Sequence, residues 1–404
     1  MSHVKNKWPM HVFFISQGVS LFGIGYAVLP VLILLFWLVK TAIKTPGMFK
    51  DLFTDDRCYW VWIYYLLFIV TVIISDLTVG GKLTHLEGPL YNLALGVYML
   101  LGYLVVKSYD SDEVQIFTNS WFVLWLFALL AIVEIYYRGI YRYHHGIFAA
   151  PHILFSGVIM VGLVNLAHLV ERYNFNRFLS SISVILVLWS LISSYKYSVS
   201  DVLPHLYVIC AFIIMLLSTK KLPMCFFSFL IFGSVICVLC KLDVLDQIKS
   251  IDLTSTDLWM GLLSGREYVW SATVRMIGQY PFLGVGSGNF SAVCKKILTE
   301  MNVASPYNTF AHAHSLLLQN FVVHGMFAGT AFIALLLSVF RLIFNNFGIE
   351  RNMASRLAAL GLWLIYVLYG SVDNAPLYEE MIPLFWGSIG LFMGMVAKEV
   401  KTDE

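Results

Sequence analysis

The side chains best suited to catalysis cluster in one stretch of the chain, between residues 264 and 325. This stretch holds Arg266, a glycine-rich run at 281–290 with the sequence PFLGVGSGNF, and the pair His312 and His314 in AHAHSLLLQ. An arginine binds phosphate through two parallel hydrogen bonds, and an imidazole transfers protons near neutral pH. Almost all other segments are apolar, and polar groups inside apolar sequence usually bind or react with something. We therefore expect the chemistry in this stretch.

Other polar residues occur at the ends of apolar segments. Lys196 lies in SSYKYSVS, and Asp373 follows a Gly-Ser pair. Glu134, Arg138 and Arg142 are spaced four apart, which places them on one face of a helix. That face is either solvated or able to bind an anionic substrate.

The region around the glycine run is predicted to form two helices. The pattern predicts one helix over 262–277 and a second over 308–324, with both histidines at the beginning of the second. On a helix, residues two apart point to different sides, and neither Asp, Glu nor Cys lies nearby in the sequence. No metal site and no cofactor are therefore expected.

The composition is that of a membrane protein. The chain has 404 residues, of which 59% are hydrophobic and 12% charged, and its mean hydropathy is +0.78. Soluble domains contain about 25% charged residues. The net charge of +2 gives no reason to expect a nucleic-acid partner, and six scattered cysteines form no disulfide framework.

The elements that position these residues are therefore predicted to be membrane-spanning helices, about twelve in all. Residues 9–39 are too long for one ordinary span and are predicted to form two short helices. We predict an all-α polytopic membrane protein, forming a single domain over 1–404 with one large loop at 241–307. The remaining predicted spans are 58–75, 88–107, 117–136, 147–169, 178–194, 200–218, 222–240, 327–345, 354–371 and 380–398.

The distribution of lysine and arginine orients these spans. With both termini in the cytoplasm, sixteen of the 26 basic residues lie on the cytoplasmic side and four in short outer loops. Short loops rich in Lys and Arg stay in the cytoplasm. This places the loop 241–307 outside the cytoplasm, where no nucleotide-activated substrate is available, so the substrate must arrive already activated.

The order of these motifs resembles the O-antigen ligase and polymerase superfamily. The shared features are a basic residue in a short outer turn, Arg266 within GR-x3-W, the glycine run, an H-x-H-[NS] motif ending at Ser315, and a late Asp373. Two positions depart from the usual pattern: Lys196 stands where arginine is usual, and Ser315 where asparagine is usual. Lysine keeps the charge but loses the planar fork of arginine.

The resemblance implies a GT-C-like membrane fold in the bacterial inner membrane and a metal-independent, inverting glycosyl transfer at its periplasmic face. The donor would be an O-antigen glycan on undecaprenyl diphosphate, and the acceptor a sugar hydroxyl of lipid A-core. Arg266 and Lys196 would bind the diphosphate, with Arg138 and Arg142 as further substrate-binding candidates.

The same resemblance assigns the remaining roles. His314 would be the catalytic base, Asp373 would orient it, and His312 would shape the acceptor pocket. Membrane lipids would surround the whole protein.

Three other functions compete with the ligase. The closest is an O-antigen polymerase, which differs mainly in its acceptor; the HAHS sequence favours the ligase. A protein-glycosylating relative would carry a longer soluble tail. A lipid-linked glycan transporter or flippase would show repeated halves and broken helices at the midplane, and we detect no internal repeat.

Overall fold

The structure, a computed structural model, describes residues 8–22, 24–45, 47–55, 57–85, 87–108, 151–171, 202–218, 266–303, 309–345, 353–373 and 380–403. Within these ranges the chain is helical, with turns and short loops between helices and no strand. The described helices, numbered in chain order, are α1 Trp8–Ser20, α2 Ile24–Lys44, α3 Gly47–Thr54, α4 Tyr59–Val79, α5 Pro89–Lys107, α6 Pro151–Glu171, α7 Val202–Leu217, α8 Arg266–Gln279, α9 Phe290–Glu300, α10 Leu316–Asn345, α11 Met353–Val372 and α12 Met381–Asp403.

Five of these helices are long and apolar enough to cross a membrane. They contain the candidate spans Ala27–Lys44, Tyr59–Val79, Pro89–Lys107, Leu316–Asn345 and Met353–Val372. These five helices are consistent with the predicted polytopic, all-helical membrane protein. The predicted spans 117–136, 178–194 and 222–240 lie outside the described residues, as does the first part of the loop 241–307. The total of twelve spans therefore stays a prediction.

The N-terminal apolar segment forms two helices, α1 of 13 residues and α2 of 21 residues. The prediction that this segment forms two helices is confirmed, but the second helix is longer than predicted, because it continues to Lys44 and carries Pro30 in its interior. Leu29, Phe36 and Ile43 on α2 are exposed in the isolated chain, as expected for side chains that face lipid.

Close helix packing holds the other spans together. Helix α12 lies so near α5 that a Cβ added at Gly390 would be 2.0 Å from the backbone oxygen of Met99. Small residues permit such approach between membrane helices. Helix α4 packs on α10, where the rings of Phe68 and Phe332 are 5.1 Å apart.

Helix α10 is broken at Gly325, whose φ of 81° and ψ of 179° are not helical. The part after the break matches the predicted span 327–345, and the part before it rises to the candidate site. In an unbroken helix the Met326 N–H would bond to the Val322 oxygen. Instead, Met326 N donates to Pro281 O at 2.8 Å, and Val285 N donates to Val322 O at 2.9 Å. The glycine run therefore docks on the backbone groups that the break releases.

Candidate active site

Arg266 and His314, which are far apart in the sequence, both lie beside the carboxylate of Asp373. Asp373 Oδ2 lies 3.8 Å from Arg266 Nη2, and Asp373 Oδ1 lies 3.7 Å from His314 Nδ1. Both distances exceed those of a hydrogen bond, so these are contacts between charges or dipoles. The Arg266, Asp373 and His314 side chains are 22%, 20% and 29% exposed, so the site is open to a substrate at the helix ends.

Each of the three lies at or next to the end of a described helix. Arg266 is the first described residue of α8, and Asp373 directly follows α11, where its N–H donates to Tyr369 O at 2.9 Å. The Tyr369 hydroxyl also donates to Asp373 Oδ2 at 3.4 Å. His314 lies two residues before α10. Helix ends hold the backbone in place while leaving the side chain accessible.

The prediction that both histidines lie on a helix is wrong. The helix begins at Leu316, and residues 309–315 are not helical. His314 has a φ of 48°, in the left-handed region that few residues other than glycine adopt. Because of this conformation the two imidazoles do not diverge: their ring centroids are 4.2 Å apart, and His314 N lies 3.4 Å from His312 Nδ1.

Ser315 explains why the helix begins where it does. Its hydroxyl accepts from Leu318 N at 3.4 Å and its carbonyl accepts from Gln319 N at 2.8 Å, so Ser315 is the N-cap of α10. Serine and asparagine are both strong N-cap residues. The departure from the usual asparagine therefore preserves the cap and the exit direction of the chain after His314.

The glycine run is a compact turn fixed by buried contacts. The three glycines 284, 286 and 288 all have positive φ. The Ser287 N–H and hydroxyl donate to the two oxygens of Asp76 at 2.8 and 2.6 Å, and Asp76 is 1% exposed. Because the N–H groups of residues 285–287 all bond within the protein, this turn does not offer them to a phosphate.

A second buried cluster, formed by Glu87, Gln319 and His324, contacts the backbone just before His314. The Gln319 amide donates to Glu87 Oε1 and its oxygen accepts the Ala313 N–H at 2.6 Å. His324 Nε2 lies 2.9 Å from the Glu87 carbonyl oxygen. Burial raises the pKa of Glu87 to about 7, against the opposing effect of the Gln319 hydrogen bond.

Sequence reasoning missed these supporting residues: Asp76, Glu87, Gln319, His324 and Tyr369. Asp76 carried a usable signal, because an acidic residue inside an apolar run is expensive and therefore usually functional or paired. The partners of Gln319 and His324 lie more than 200 residues away, so nothing local in the sequence identifies them.

Three predicted substrate-binding residues, Lys196, Arg138 and Arg142, lie outside the described residues. Among the residues that the structure describes, no three His, Cys, Asp or Glu side chains group as a metal site.

The described fold and site are those of a helical membrane protein with a charged, partly open cluster at the ends of its spans. Residues 182–333 match the family model described as O-antigen ligase. The match confirms the resemblance to the O-antigen ligase and polymerase superfamily, and it covers Arg266, the glycine run and both histidines. Comparison with curated proteins finds no match to this chain.

The family match carries a general biochemical meaning. It implies a glycosyl-transferring ligase or polymerase that uses a lipid-linked polysaccharide and a lipid acceptor. It does not separate the ligase from the polymerase.

Proposed function

We propose that this protein is an O-antigen ligase, which transfers a glycan from undecaprenyl diphosphate to a sugar hydroxyl of lipid A-core. The observation that carries the proposal is the meeting of Arg266, His314 and Asp373 at one partly exposed place. A cation for the leaving diphosphate and an imidazole for the incoming hydroxyl are the two groups that such a transfer needs.

His314 acts as the general base. Its Nδ1 faces Asp373, which favours a proton on that nitrogen and leaves Nε2 to accept the proton of the acceptor hydroxyl. The hydroxyl oxygen then bonds to the anomeric carbon while the bond from that carbon to the diphosphate oxygen breaks. The electron pair leaves with the diphosphate, and the anomeric configuration inverts. The 3.7 Å contact with Asp373 shortens when substrate is bound, as catalytic hydrogen bonds often do.

Arg266 stabilises the charge that develops on the departing diphosphate. Its guanidinium presents five donors, so it is able to face Asp373 and a phosphate at the same time. Asp373 holds that guanidinium near the base and thereby sets the spacing between leaving group and nucleophile. Lys196 supplies a second cation to the diphosphate, and Arg138 and Arg142 bind the glycan or the acceptor headgroup.

The site faces the periplasm and the protein resides in the inner membrane. The motivation is the excess of lysine and arginine in the loops assigned to the cytoplasm. A reporter that is active only outside the cytoplasm is expected to work when fused after Ser291 and to be silent after Lys221. The reverse pattern contradicts this orientation.

Deletion of the gene, followed by gel analysis of lipopolysaccharide, tests the reaction itself. Core without any O-chain supports the ligase, whereas core carrying one repeat unit supports the polymerase.

In the complemented strain, His314→Ala is expected to lower transfer 10²–10⁴-fold. His312→Ala, which removes the adjacent imidazole, is expected to lower transfer by a smaller factor. Full activity of a well-expressed His314→Ala variant refutes the proposed base.

A further inference from the structure

Two residues linked by a hydrogen bond, Glu87 and Gln319, hold the backbone before His314. Glu87 precedes α5, and Gln319 lies in the first turns of α10. The Gln319 amide nitrogen donates to Glu87 Oε1, and the Gln319 oxygen accepts the N–H of Ala313 at 2.6 Å. Ala313 is fully buried, so its N–H has no access to water.

Glu87 determines which way the Gln319 amide points. A carboxylate only accepts hydrogen bonds, so it selects the nitrogen of the amide and turns the oxygen towards Ala313. Glu87 is itself fixed, because its carbonyl oxygen accepts from Asn92 Nδ2 at 2.8 Å and lies 2.9 Å from His324 Nε2. The backbone of Glu87 is therefore anchored to α5 and α10 together.

The residue that follows Ala313 is the one that needs such support. His314 adopts a φ of 48°, and left-handed backbone at a non-glycine residue is strained. Such strain persists only where surrounding contacts over-determine the conformation. On its C-terminal side His314 is followed by the Ser315 cap, and on its N-terminal side the Ala313 N–H is held by Gln319.

We propose that Glu87 and Gln319 are positioning residues for the catalytic base, because they fix the Ala313 amide and with it the left-handed turn that presents His314 to Asp373. The inference rests on the proposed function, in which His314 is the base. Neither residue touches the substrate; both act through the backbone. The pKa of Glu87, raised by burial to about 7, leaves a large share of the carboxylate ionised at neutral pH.

The test exchanges the two side chains. Gln319→Glu sets two carboxylates against each other and removes the N–H that Glu87 accepts. In the double variant Glu87→Gln with Gln319→Glu, the amide at 87 donates to the carboxylate at 319. The second oxygen of that carboxylate still accepts the Ala313 N–H. We expect Gln319→Glu to lower kcat about 10–100-fold above neutral pH, as small misplacements of a catalytic group do. The double variant should return to within about 3-fold of wild type.

A second measurement does not depend on catalysis. Amide hydrogen exchange in the purified full chain reports protection of the Ala313 N–H within the peptide covering residues 309–315. Gln319→Met, which keeps the length but has no acceptor, should speed exchange there. Asn320→Leu is the matched control, because Asn320 is also buried on α10 and donates to Leu316 O within its own helix at 2.9 Å.

The outcomes separate the two proposals. Unchanged exchange in Gln319→Met, or a double variant no more active than Gln319→Glu, overturns the positioning role. Faster exchange with unimpaired kcat also overturns it, while leaving His314 as the base. Wild-type transfer by His314→Ala overturns the base role of His314 on which this inference rests, and the exchange result then describes a structural contact alone. Unchanged lipopolysaccharide after deletion of the gene overturns the proposed function itself.

Discussion

Replacing Gly325 by alanine tests how the glycine run docks on the broken helix. The backbone of Gly325, with φ 81° and ψ 179°, lies in a region that is essentially restricted to glycine. A Cβ added there would be 2.0 Å from the carbonyl oxygen of Phe282, a contact that real structures do not show. The turn and the helix must therefore separate by more than about 1 Å to admit a methyl group.

Two effects contribute to the destabilisation expected for Gly325→Ala. Backbone strain at this position contributes about 1–3 kcal/mol. Separation also weakens three backbone hydrogen bonds across the contact, those of Met326 to Pro281, Val285 to Val322 and Gly286 to Val323. Each such bond is worth about 0.5–1.5 kcal/mol. We expect Gly325→Ala to destabilise the protein by about 3–5 kcal/mol, because not all three bonds break completely.

Thermal unfolding of the detergent-purified protein, followed by loss of its monodisperse chromatographic peak, measures this effect. For a chain of this size the expected decrease in Tm is about 5 °C. Transfer activity should fall as well, since the turn carries Ser287 and the helix before the break carries Gln319. Gly278→Ala is the matched control: Gly278 lies in α8, and a Cβ there would meet nothing within 4 Å. Alanine in a helix is favoured over glycine by about 1 kcal/mol, so that variant should keep or raise Tm.

One result refutes the reasoning. If Gly325→Ala unfolds within about 1 °C of wild type and remains active, the turn does not depend on this close approach.

Three further predictions concern the charged residues of the site. If Arg266 binds the donor diphosphate as proposed, Arg266→Lys should retain less than about 1% of wild-type kcat, because one ammonium does not replace a guanidinium that faces both Asp373 and a phosphate. Asp373→Asn should lower kcat about 5–30-fold with little change in the donor KM. A charge 3.7 Å from His314 in a partly exposed site is worth about 1–2 kcal/mol to the imidazolium formed in the transition state. Glu87→Gln should flatten the dependence of Tm on pH, because the folded protein holds a proton on Glu87 that the unfolded chain releases. The contribution of Glu87 to wild-type stability therefore falls as pH rises from about 4.5 to about 7.

Controls distinguish these effects from misfolding. Expression and Tm of Arg266→Lys and Asp373→Asn should equal those of wild type, and an active Arg266→Lys contradicts its role at the diphosphate. For Glu87, the neighbouring titratable groups are Asp76, His85 and His324, and Lys82 in turn acts on His85. These are unchanged in Glu87→Gln, so they contribute to the pH dependence of both proteins. A wild-type slope in the variant contradicts the assignment to Glu87.

Composition and short motifs were sufficient to predict the fold class and the superfamily of this protein. The long apolar runs predicted a helical membrane protein because a lipid-exposed backbone must satisfy its hydrogen bonds within a helix. Glycine at positions 284, 286 and 288 permits the positive φ that the turn requires, because glycine has no Cβ. The order of Arg266, the glycine run, His314 and Asp373 was sufficient to indicate the superfamily.

Tertiary structure alone decided how these pieces meet. The apolar and polar pattern predicted a helix through His312 and His314, but the Ser315 cap and the left-handed backbone at His314 begin the helix later and bring the two rings together. Asp76 acquires its partner Ser287 only when the glycine run packs against α4, and Glu87 acquires its partner Gln319 only when α10 packs beside the residues that precede α5. Periodicity and propensity are local properties of the chain. The partner of a buried polar side chain is set by which distant segment desolvates it, and that depends on how the helices pack.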